Sequence, residues 1–501
     1  MVFQQFLTFI GSNFLCFNYD LILFLNQKQG HMPLITSISG IRGTIGGKPG
    51  ENLTPIDVIS FSSAYATWLK DQNKKSRKSQ LKIALGRDAR PSGLLVQNLV
   101  SSVMISMGID VLDLGLSTTP TVEMMVLMKS CDGGIVITAS HNPVEWNALK
   151  LLNARGEFLS ASDGEKILNY SSLKEFDFLD VHQIGKIIPF DGGIKEHIDS
   201  ILDLEDVDVE AIRNANFKVA VDAVNSTGGI SVPILLNSLG VENQELLYCE
   251  PNGQFPHNPE PLRKHLDDIC NLVSKSNCDL GVVVDPDVDR LVFVSEDGEL
   301  FGEEYTLVAV ADYLLSKSNG NCVSNLSSSR ALNDIAIRHN SKYFASAVGE
   351  VNVVEKMKEC DAIIGGEGNG GIIYPPLHYG RDSLVGIALF LTHLAKLKIL
   401  NEGLTVSALR SSYPSYFMVK EKITLSSSVD LEKLMDKVAS QFENEIVSRI
   451  DGVKIDFEES WVHMRKSNTE PIVRIYTEAK SILEAETLAL RFVNQLSDLS
   501  Q

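Results

Sequence analysis

The stretch that decides the fold is Gly134-Ile135-Val136-Ile137-Thr138-Ala139-Ser140-His141-Asn142-Pro143. Its opening apolar run predicts a short buried strand that delivers Ser140 onto a polar turn. A helix is expected only after Pro143, with Asn147 and Lys150 at helical spacing. A hydroxyl held between a threonine and a histidine suits a nucleophile or a phosphoryl carrier. The alternative is a turn serine that hydrogen-bonds only local backbone, and three further polar loops weigh against it.

Composition is typical of a globular protein with several domains. The 501 residues are too many for one core, and 44% hydrophobic with 22% charged residues is an ordinary globular balance. The formal charge of -19, with no basic block, argues against a nucleic-acid partner, and an anionic substrate would need a locally basic pocket. The seven cysteines are scattered without a CxxC pair, which favours reduced thiols in a cytoplasmic protein over disulfides or a zinc site.

Residues 1–31 differ in style from the rest of the chain. They are rich in aromatic residues and contain no basic residue before Lys28. Polar residues interrupt the apolar runs, so the segment is a poor membrane span, and it lacks the positive start of a signal peptide. We expect Met32 to be the functional start, residues 1–31 to be a dispensable extension, and no membrane partner. A weak membrane anchor is the alternative.

Strand and helix patterns alternate along most of the chain. Strand patterns open at Leu81, Phe217 and Asn321, and each is followed by a polar turn and a helical pattern. This rhythm predicts an α/β fold with three related α/β domains, whose ligands gather at the carboxyl ends of the strands. After about residue 413 a smaller α+β domain is expected. The predicted domains are residues 32–190, 191–299, 300–412 and 413–501.

A second polar loop, Asp285-Pro286-Asp287-Val288-Asp289-Arg290, follows the apolar strand pattern 280–284. Three carboxylates on one loop repel each other unless a cation lies among them. Oxygen ligands alone favour Mg²⁺ or Ca²⁺ over a softer metal. An EF-hand loop is excluded because its sixth position holds Arg290 instead of glycine and its second half is a strand pattern.

A third loop, Gly365–Gly371, is dense in glycine and carries Glu367 and Asn369. Such a loop can bring hydrogen-bonding groups close to sugar hydroxyls, and a flexible hairpin is the alternative. Near the start of the chain, Arg42 lies among glycines, which suggests an anion contact or else a solvated arginine on a hairpin.

The fourth loop lies in the last domain and combines cationic, hydroxyl and amide side chains. Together with turn backbone these groups make a phosphate cradle. A solvated turn is disfavoured, because Arg474 lies in an apolar strand pattern where a free charge is costly. The cradle residues are Arg465, Ser467, Asn468, Thr469 and Arg474.

With these loops in this order, the chain from about Leu34 onward resembles the α-D-phosphohexomutase superfamily. The segments similar to the family's phosphoserine, metal, sugar-binding and phosphate-binding loops are Thr138–Pro143, Asp285–Arg290, Gly366–Gly371 and Arg465–Pro471. The opening Ser37–Thr44 is similar to the archaeal-type phosphoglucosamine mutase subgroup. The chain departs from the family pattern at Pro286 and Val288, at Ala148, and at Gly368 and Asn369, which replace a Glu/Ser type pair.

The resemblance implies four domains around a central cleft. It implies a phosphoryl group on Ser140, with Mg²⁺ bridging that group to Asp285, Asp287 and Asp289, and transfer between O6 and O1 of a hexose phosphate through a hexose 1,6-bisphosphate. The metal and Arg290 would offset charge on the transferring group. Positioning and proton transfer fall to Arg42, His141 and Lys150, and substrate binding to Glu367, Asn369 and the cradle residues.

The expected reaction converts glucosamine 6-phosphate into glucosamine 1-phosphate. Phosphomannomutase or phosphoglucomutase activity is the alternative, and a non-catalytic sugar-phosphate-binding protein is the alternative of another class. A serine hydrolase is disfavoured because no G-x-S-x-G elbow surrounds Ser140. We expect a monomer or homodimer.

Overall fold

The computed structural model describes residues 34–37, 40–74, 80–424, 430–466 and 472–499. Within these ranges the strands form four sheets, one of seven strands, two of four and one of five. The prediction that residues 1–31 are a dispensable extension concerns residues outside the described ranges.

The first sheet has the strand order β1-β2-β6-β5-β3-β4-β7. Strand β5 is buried along its whole length, as expected for a short apolar run at the centre of a mixed sheet. The strands of the first sheet are β1 Ile35–Ser37, β2 Gly40–Thr44, β3 Leu81–Arg87, β4 Ile109–Leu116, β5 Gly133–Ile137, β6 Trp146–Leu152 and β7 Ile187–Pro189. The accompanying helices are Pro55–Asn73, Gly93–Ser106, Thr119–Met128 and Ala161–Leu173.

The prediction of a helix after Pro143 is wrong, because Trp146–Leu152 forms strand β6, which runs antiparallel to β5. Six of its seven residues are buried, so apolar side chains occupy both faces and the alternation that identifies a strand is lost. The spacing of Asn147 and Lys150 therefore carried no helical information. Lys150 lies opposite Val136 of β5, and its side chain extends towards the Asp285–Arg290 loop.

The second and third sheets repeat one topology. The second has strands β8 Lys218–Asp222, β9 Asn243–Leu247, β10 Leu280–Val284 and β11 Leu291–Ser295, with helices Gly193–Leu202, Val209–Ala215, Gly228–Ser238 and Asp267–Lys275 and the 3₁₀ turn Arg263–His265. The third has β12 Asn321–Asn325, β13 Lys342–Ser346, β14 Ala362–Glu367 and β15 Gly371–Ile373, with helices Glu303–Lys317, Ala331–Arg338, Glu350–Glu359, Ser383–Leu400 and Val406–Ser411.

A shared strand order relates the first three domains. The order β6-β5-β3-β4 of the first sheet recurs as β11-β10-β8-β9 and as β15-β14-β12-β13. In each, one strand runs into a polar loop and the chain returns antiparallel beside it, from β5 to β6, from β10 to β11 and from β14 to β15. The predicted fold of three related α/β domains is confirmed, and the loops that carry Ser140, the three aspartates and Glu367 occupy equivalent places.

The helix Ser383–Leu400 packs at the centre of the molecule. Asp382 caps its start by accepting from the N–H groups of Leu384 and Val385. Its Phe390 stacks on Phe293 of β11 with ring centroids 3.9 Å apart, which joins the second and third domains. Among the described helices this one is long and apolar enough to cross a membrane, and 72% of it is buried, as core helices of soluble proteins also are.

The last sheet is antiparallel, with the order β16-β20-β19-β18-β17. Its strands are β16 Phe417–Thr424, β17 Ile446–Ser448, β18 Val453–Asp456, β19 Trp461–Lys466 and β20 Ile472–Ala479. Its helices are Leu431–Ala439 and Ile482–Leu499, with a 3₁₀ turn Ser440–Phe442. The predicted C-terminal α+β domain is confirmed. The boundaries proposed at residues 190, 299 and 412 stay predictions.

Candidate active site

Two of the three equivalent loops meet at Ser140. The hydroxyl of Ser140 donates to Asp285 Oδ2 at 2.6 Å, which joins the β5–β6 loop to the β10–β11 loop. Ser140 has a φ of +48°, a left-handed conformation that costs free energy for a residue with a side chain. Its backbone N–H donates to Thr138 Oγ1 at 2.9 Å, and this bond holds the turn.

Arg90 anchors the β5–β6 loop, which carries Ser140, through hydrogen bonds to its backbone. Its guanidinium donates to the backbone carbonyls of Ser140, Asn142, Pro143 and Trp146, and Arg90 is 1% exposed. Asp88 accepts from Arg90 Nε at 2.9 Å and from Thr138 Oγ1 at 2.7 Å, so the charge on Arg90 is paired. No role for Asp88 or Arg90 was predicted from the sequence. The available signal was a polar run, directly after strand β3, at the edge of the sheet where ligands gather.

The carboxylates of Asp285, Asp287 and Asp289 are fully buried together. Burial, and then the two neighbouring carboxylates, raise the pKa of Asp285 well above its ordinary value. Asp287 Oδ1 and Asp289 Oδ1 are buried and accept no hydrogen bond in the described part of the chain. Oxygen atoms without a donor, among converging negative charges, are a donor set that fits a hard divalent cation.

Val288, one of the departures from the family pattern, has a φ of +64°. This is the left-handed region that favours glycine, and a β-branched residue there is strained. Val288 is also fully buried in the core shared by the second and third domains. Burial of its side chain therefore offsets part of the backbone strain in the loop.

Two cations from other domains reach the aspartates. Lys150 Nζ donates to Asp287 Oδ2 at 2.6 Å and to Asp289 Oδ2 at 2.9 Å. Arg381 Nη2 donates to Asp289 Oδ2 at 2.8 Å. Burial opposes ionisation of Asp289, but Arg381 and Lys150 hold its pKa below the usual range. Lys150 was a predicted site residue, whereas the sequence analysis gave Arg381 no role.

Arg381 also connects the aspartates to the third domain. The same guanidinium donates to Glu350 Oε2 and to Glu367 Oε2, each at 2.9 Å. Burial raises the pKa of Glu350 to about 7, although Arg381 acts in the opposite direction. Arg381 therefore links the Asp285–Arg290 loop to the glycine-rich loop Gly365–Gly371 and fixes their relative position.

A junction behind these loops binds three domains together. His197 Nε2 and His378 Nε2 lie 2.9 and 3.3 Å from Asp382 Oδ2, and Thr121 Oγ1 lies 3.0 Å from His197 Nδ1. Burial would raise the pKa of Asp382, but the two imidazoles hold it well below its ordinary value. Because these hydrogen bonds pair the carboxylate with both rings, we read the cluster as a structural network.

A cleft opens above Ser140 in two adjoining lobes of about 570 and 450 Å³. Arg42, His141 and Arg290 line both lobes. Burial, and then Arg290, lower the pKa of Arg42, and the same two causes lower that of His141 well below its usual value. His141 Nδ1 is 3.4 Å from Ser140 Oγ. The chain therefore has the locally basic pocket that its net charge of -19 made necessary for an anionic ligand.

The β14–β15 loop places Glu367 and Asn369 on the wall of the larger lobe. Glu367 Oε1 accepts from Asn325 Nδ2 at 2.9 Å and from the Gly349 N–H at 3.0 Å. With Arg381 on its other oxygen, this carboxylate is largely satisfied by the protein. Asn369 Oδ1 accepts from the Gly371 N–H at 3.1 Å and shapes the loop.

The last domain contributes a row of cations across three strands. Arg465 of β19 lies opposite Arg474 of β20, which lies opposite Lys422 of β16. Like charges at directly opposite positions repel each other unless an anion lies between them. Arg465 and Arg474 also line the larger lobe. The other predicted cradle residues, Ser467, Asn468 and Thr469, lie outside the described residues.

Comparison with known proteins agrees with this geometry. Four family models, described as phosphoglucomutase/phosphomannomutase domains, match in order. They cover α/β/α domain I at residues 34–177, domain II at 195–298, domain III at 302–416 and the C-terminal domain at 419–495.

Two curated relatives carry different substrate names. The chain is 35% identical over 445 residues to a phosphoglucomutase/phosphomannomutase of Thermococcus kodakarensis, covering 88% of this chain and 94% of that protein. It is 31% identical over 470 residues to a phosphoglucosamine/phosphogalactosamine mutase of Sulfurisphaera tokodaii, covering 92% and 97%. A solved structure of a phosphoglucomutase/phosphomannomutase family protein from Burkholderia thailandensis shares the fold, with a TM-score of 0.78 at 23% identity over 94% of this chain and 97% of that chain.

The Arg90–Asp88 pair yields a stability prediction. We expect Arg90→Met to lower the free energy of unfolding by about 3–5 kcal/mol, because it removes the ion-pair partner of the buried Asp88 and the donor to the carbonyls of the β5–β6 loop. Denaturant unfolding measures the change. Arg155→Met removes the exposed partner of Glu157, which keeps its ion pair with Lys358, and serves as the control, with an expected loss of about 0–1 kcal/mol. Equal losses in the two variants would contradict the structural role of Arg90.

Proposed function

The chain belongs to the α-D-phosphohexomutase superfamily and is an intramolecular phosphotransferase, and we propose that it moves a phosphoryl group between O6 and O1 of a hexose phosphate. The observation that carries this proposal is the 2.6 Å hydrogen bond from Ser140 Oγ to Asp285 Oδ2. It supports a nucleophile joined directly to a buried acidic triad, beneath a cleft that Arg42, His141 and Arg290 line.

Ser140 is the proposed phosphoryl carrier. In the first half-reaction the bond from Ser140 Oγ to phosphorus breaks, a bond from a free sugar hydroxyl to the same phosphorus forms, and the hydroxyl proton passes to a base. The product is a hexose 1,6-bisphosphate. In the second half-reaction its other phosphoryl group returns to Ser140, and the sugar leaves as the isomeric monophosphate. Charge on the transferring group is offset by cations held in position beforehand.

Mg²⁺ is the proposed metal, held by Ser140 and by the carboxylates of Asp285, Asp287 and Asp289. The oxygen-only donor set and the two partnerless oxygens, Asp287 Oδ1 and Asp289 Oδ1, support a hard cation. When bound, such an ion withdraws charge from the phosphoryl oxygens. The protein contributes Arg290 on the cleft wall, together with Lys150 and Arg381, which line the lobe that contains Ser140 and donate to the aspartates.

The remaining cleft residues are proposed to position the substrate. Arg42 and His141 line both lobes next to Ser140, and they can orient the reacting end of the sugar or carry its proton. Arg465 and Arg474, with the loop residues Ser467, Asn468 and Thr469, are proposed to bind the phosphate that does not react. Glu367 and Asn369 are proposed to face the sugar ring.

The proposed substrate is glucosamine 6-phosphate, which becomes glucosamine 1-phosphate. The similarity of the chain opening to phosphoglucosamine mutases supports this choice, as does the name of the Sulfurisphaera tokodaii relative. Phosphoglucomutase or phosphomannomutase activity is the second candidate, because the Thermococcus kodakarensis relative carries that name at 35% identity.

Replacement of the carrier hydroxyl tests the mechanism. We expect Ser140→Ala to abolish turnover while leaving folding intact, because alanine lacks the phosphoryl acceptor but fits the turn. Intact mass of the wild-type chain should show a phosphoryl adduct on the peptide that contains Ser140. The exposed Ser102 provides the control variant Ser102→Ala, which should retain full activity. Turnover by Ser140→Ala within tenfold of wild type would reject the carrier role.

Neutralising one aspartate tests the metal site. We expect Asp287→Asn to reduce Mg²⁺-dependent activity by at least the roughly 10–100-fold that loss of an outer-shell partner causes. The thermal midpoint without metal should hold or rise, because the change reduces repulsion within the loop. Activity is measured over a Mg²⁺ titration, with the exposed Asp199→Asn as control. Wild-type turnover that is unchanged in excess chelator would rule out the metal requirement.

A substrate panel tests the sugar assignment. Values of kcat/KM are compared for the 6-phosphates of glucosamine, glucose and mannose on one enzyme preparation, each assayed with its matching bisphosphate. We expect the amino sugar to be preferred. A preference for glucose or mannose phosphate would move the assignment to the second candidate and leave the phosphoryl-transfer mechanism in place.

A further inference from the structure

Glu304 brings a carboxylate to the sugar loop from a different element. It lies in the first turn of the helix Glu303–Lys317, is half-buried, and lines the larger lobe of the cleft beside Glu367, Gly368 and Asn369. The sequence analysis assigned no role to it. Only the folded third domain shows that this helix lies beside the β14–β15 loop.

Gly368 and Glu304 compete for one space. A Cβ atom added to Gly368 would lie 1.9 Å from Glu304 Oε1 and 2.4 Å from its Cδ, far inside any permitted contact. The absence of a side chain at position 368 is therefore what allows the Glu304 carboxylate to reach the loop. This explains physically why the loop departs from its expected pattern at this position.

The two carboxylates on this wall differ in how far the protein satisfies them. Glu367 accepts from Asn325 and Gly349 on one oxygen and from Arg381 on the other. Glu304 Oε2 accepts from the Ser329 N–H at 2.8 Å, whereas Oε1 has no hydrogen-bond donor among the described residues. Glu304 therefore has one oxygen that can accept a hydrogen bond from a ligand, whereas both oxygens of Glu367 already accept hydrogen bonds from the protein.

The surroundings of Glu304 also make it responsive to a cation. Burial raises its pKa to about 8, although the Ser329 N–H and Lys420 act in the opposite direction and Glu303 and Glu478 assist burial. A neutral hydroxyl beside this carboxyl would leave it largely protonated at pH 7. An ammonium group beside it would favour the ionised form and gain a charge-assisted hydrogen bond.

We propose that Glu304 is a specificity-determining residue that contacts the sugar ring and favours a ring ammonium group over a hydroxyl. This inference rests on the proposed function, because it takes the larger lobe to be the place where the hexose phosphate binds. In this proposal Glu304, which lies in the helix Glu303–Lys317 outside the sugar loop, distinguishes an amino sugar from a neutral one. Glu367 chiefly organises the loop.

The test compares glucosamine 6-phosphate with glucose 6-phosphate, both in turnover with glucose 1,6-bisphosphate as activator and in binding by calorimetry. We expect Glu304→Gln to lower the ratio of kcat/KM values, amino sugar over glucose, by roughly tenfold or more, the effect of losing one hydrogen bond to a charged group. The glucose phosphate value should change by less than about threefold. The control is Glu299→Gln, which removes an exposed carboxylate just before the same helix.

Two further variants keep the test independent of one substitution. Gly368 has no left-handed φ, so Gly368→Ala adds no backbone strain and should displace only the flexible end of Glu304. It is expected to lower the ratio as Glu304→Gln does. The double variant Glu304→Ala with Gly368→Glu moves the carboxylate onto the loop and should restore part of the preference.

The outcomes separate this inference from the proposed function. An unchanged ratio in folded Glu304→Gln and Gly368→Ala, with active wild type, would overturn the role of Glu304 and leave the mutase reaction standing. A wild-type chain that turns over neither sugar, yet binds the amino sugar more tightly through Glu304, would reject the reaction and keep the inference. A wild-type chain that binds neither sugar would overturn both.

Discussion

The structure depends on the burial of three carboxylates in one loop. Asp285, Asp287 and Asp289 cannot all be ionised out of contact with water unless positive charge surrounds them. Lys150 from the first domain and Arg381 from the third supply part of that charge, and two oxygens remain without a donor. Repulsion among these carboxylates therefore favours association of the three domains, because the first and third domains supply the cations that neutralise the loop.

A repeated topology brings the chemistry to one place. In each α/β domain the functional loop follows a strand whose successor returns antiparallel beside it, so three loops of different length and side chains occupy equivalent places. The first holds a hydroxyl in a strained turn, the second holds carboxylates and the third holds glycines. Arg90 and Arg381 then connect loop to core and loop to loop, through hydrogen bonds that a guanidinium can make in several directions at once.

Charge within the cleft runs opposite to that of the whole chain. The net charge is -19, yet Arg42, Arg290, Arg465 and Arg474 line the larger lobe. Burial, and then the neighbouring Arg290, lower the pKa of Arg42, so a bound anion would stabilise both charges. A cleft lined by arginines in a chain of net negative charge admits small anions, which agrees with the proposed sugar-phosphate substrate.

The sequence by itself determined the fold class and the family, because buried strands, glycine turns and clustered carboxylates leave local patterns that do not depend on distant residues. It misread Trp146–Leu152 as helical, because a strand buried on both faces loses its alternation. It gave no role to Arg90, although a polar run after β3 was visible, and none to Arg381 or Glu304. Only the tertiary structure decided where these side chains lie, because their positions depend on contacts with residues 50 or more positions away along the chain, such as Ser140, Asp289 and Gly368.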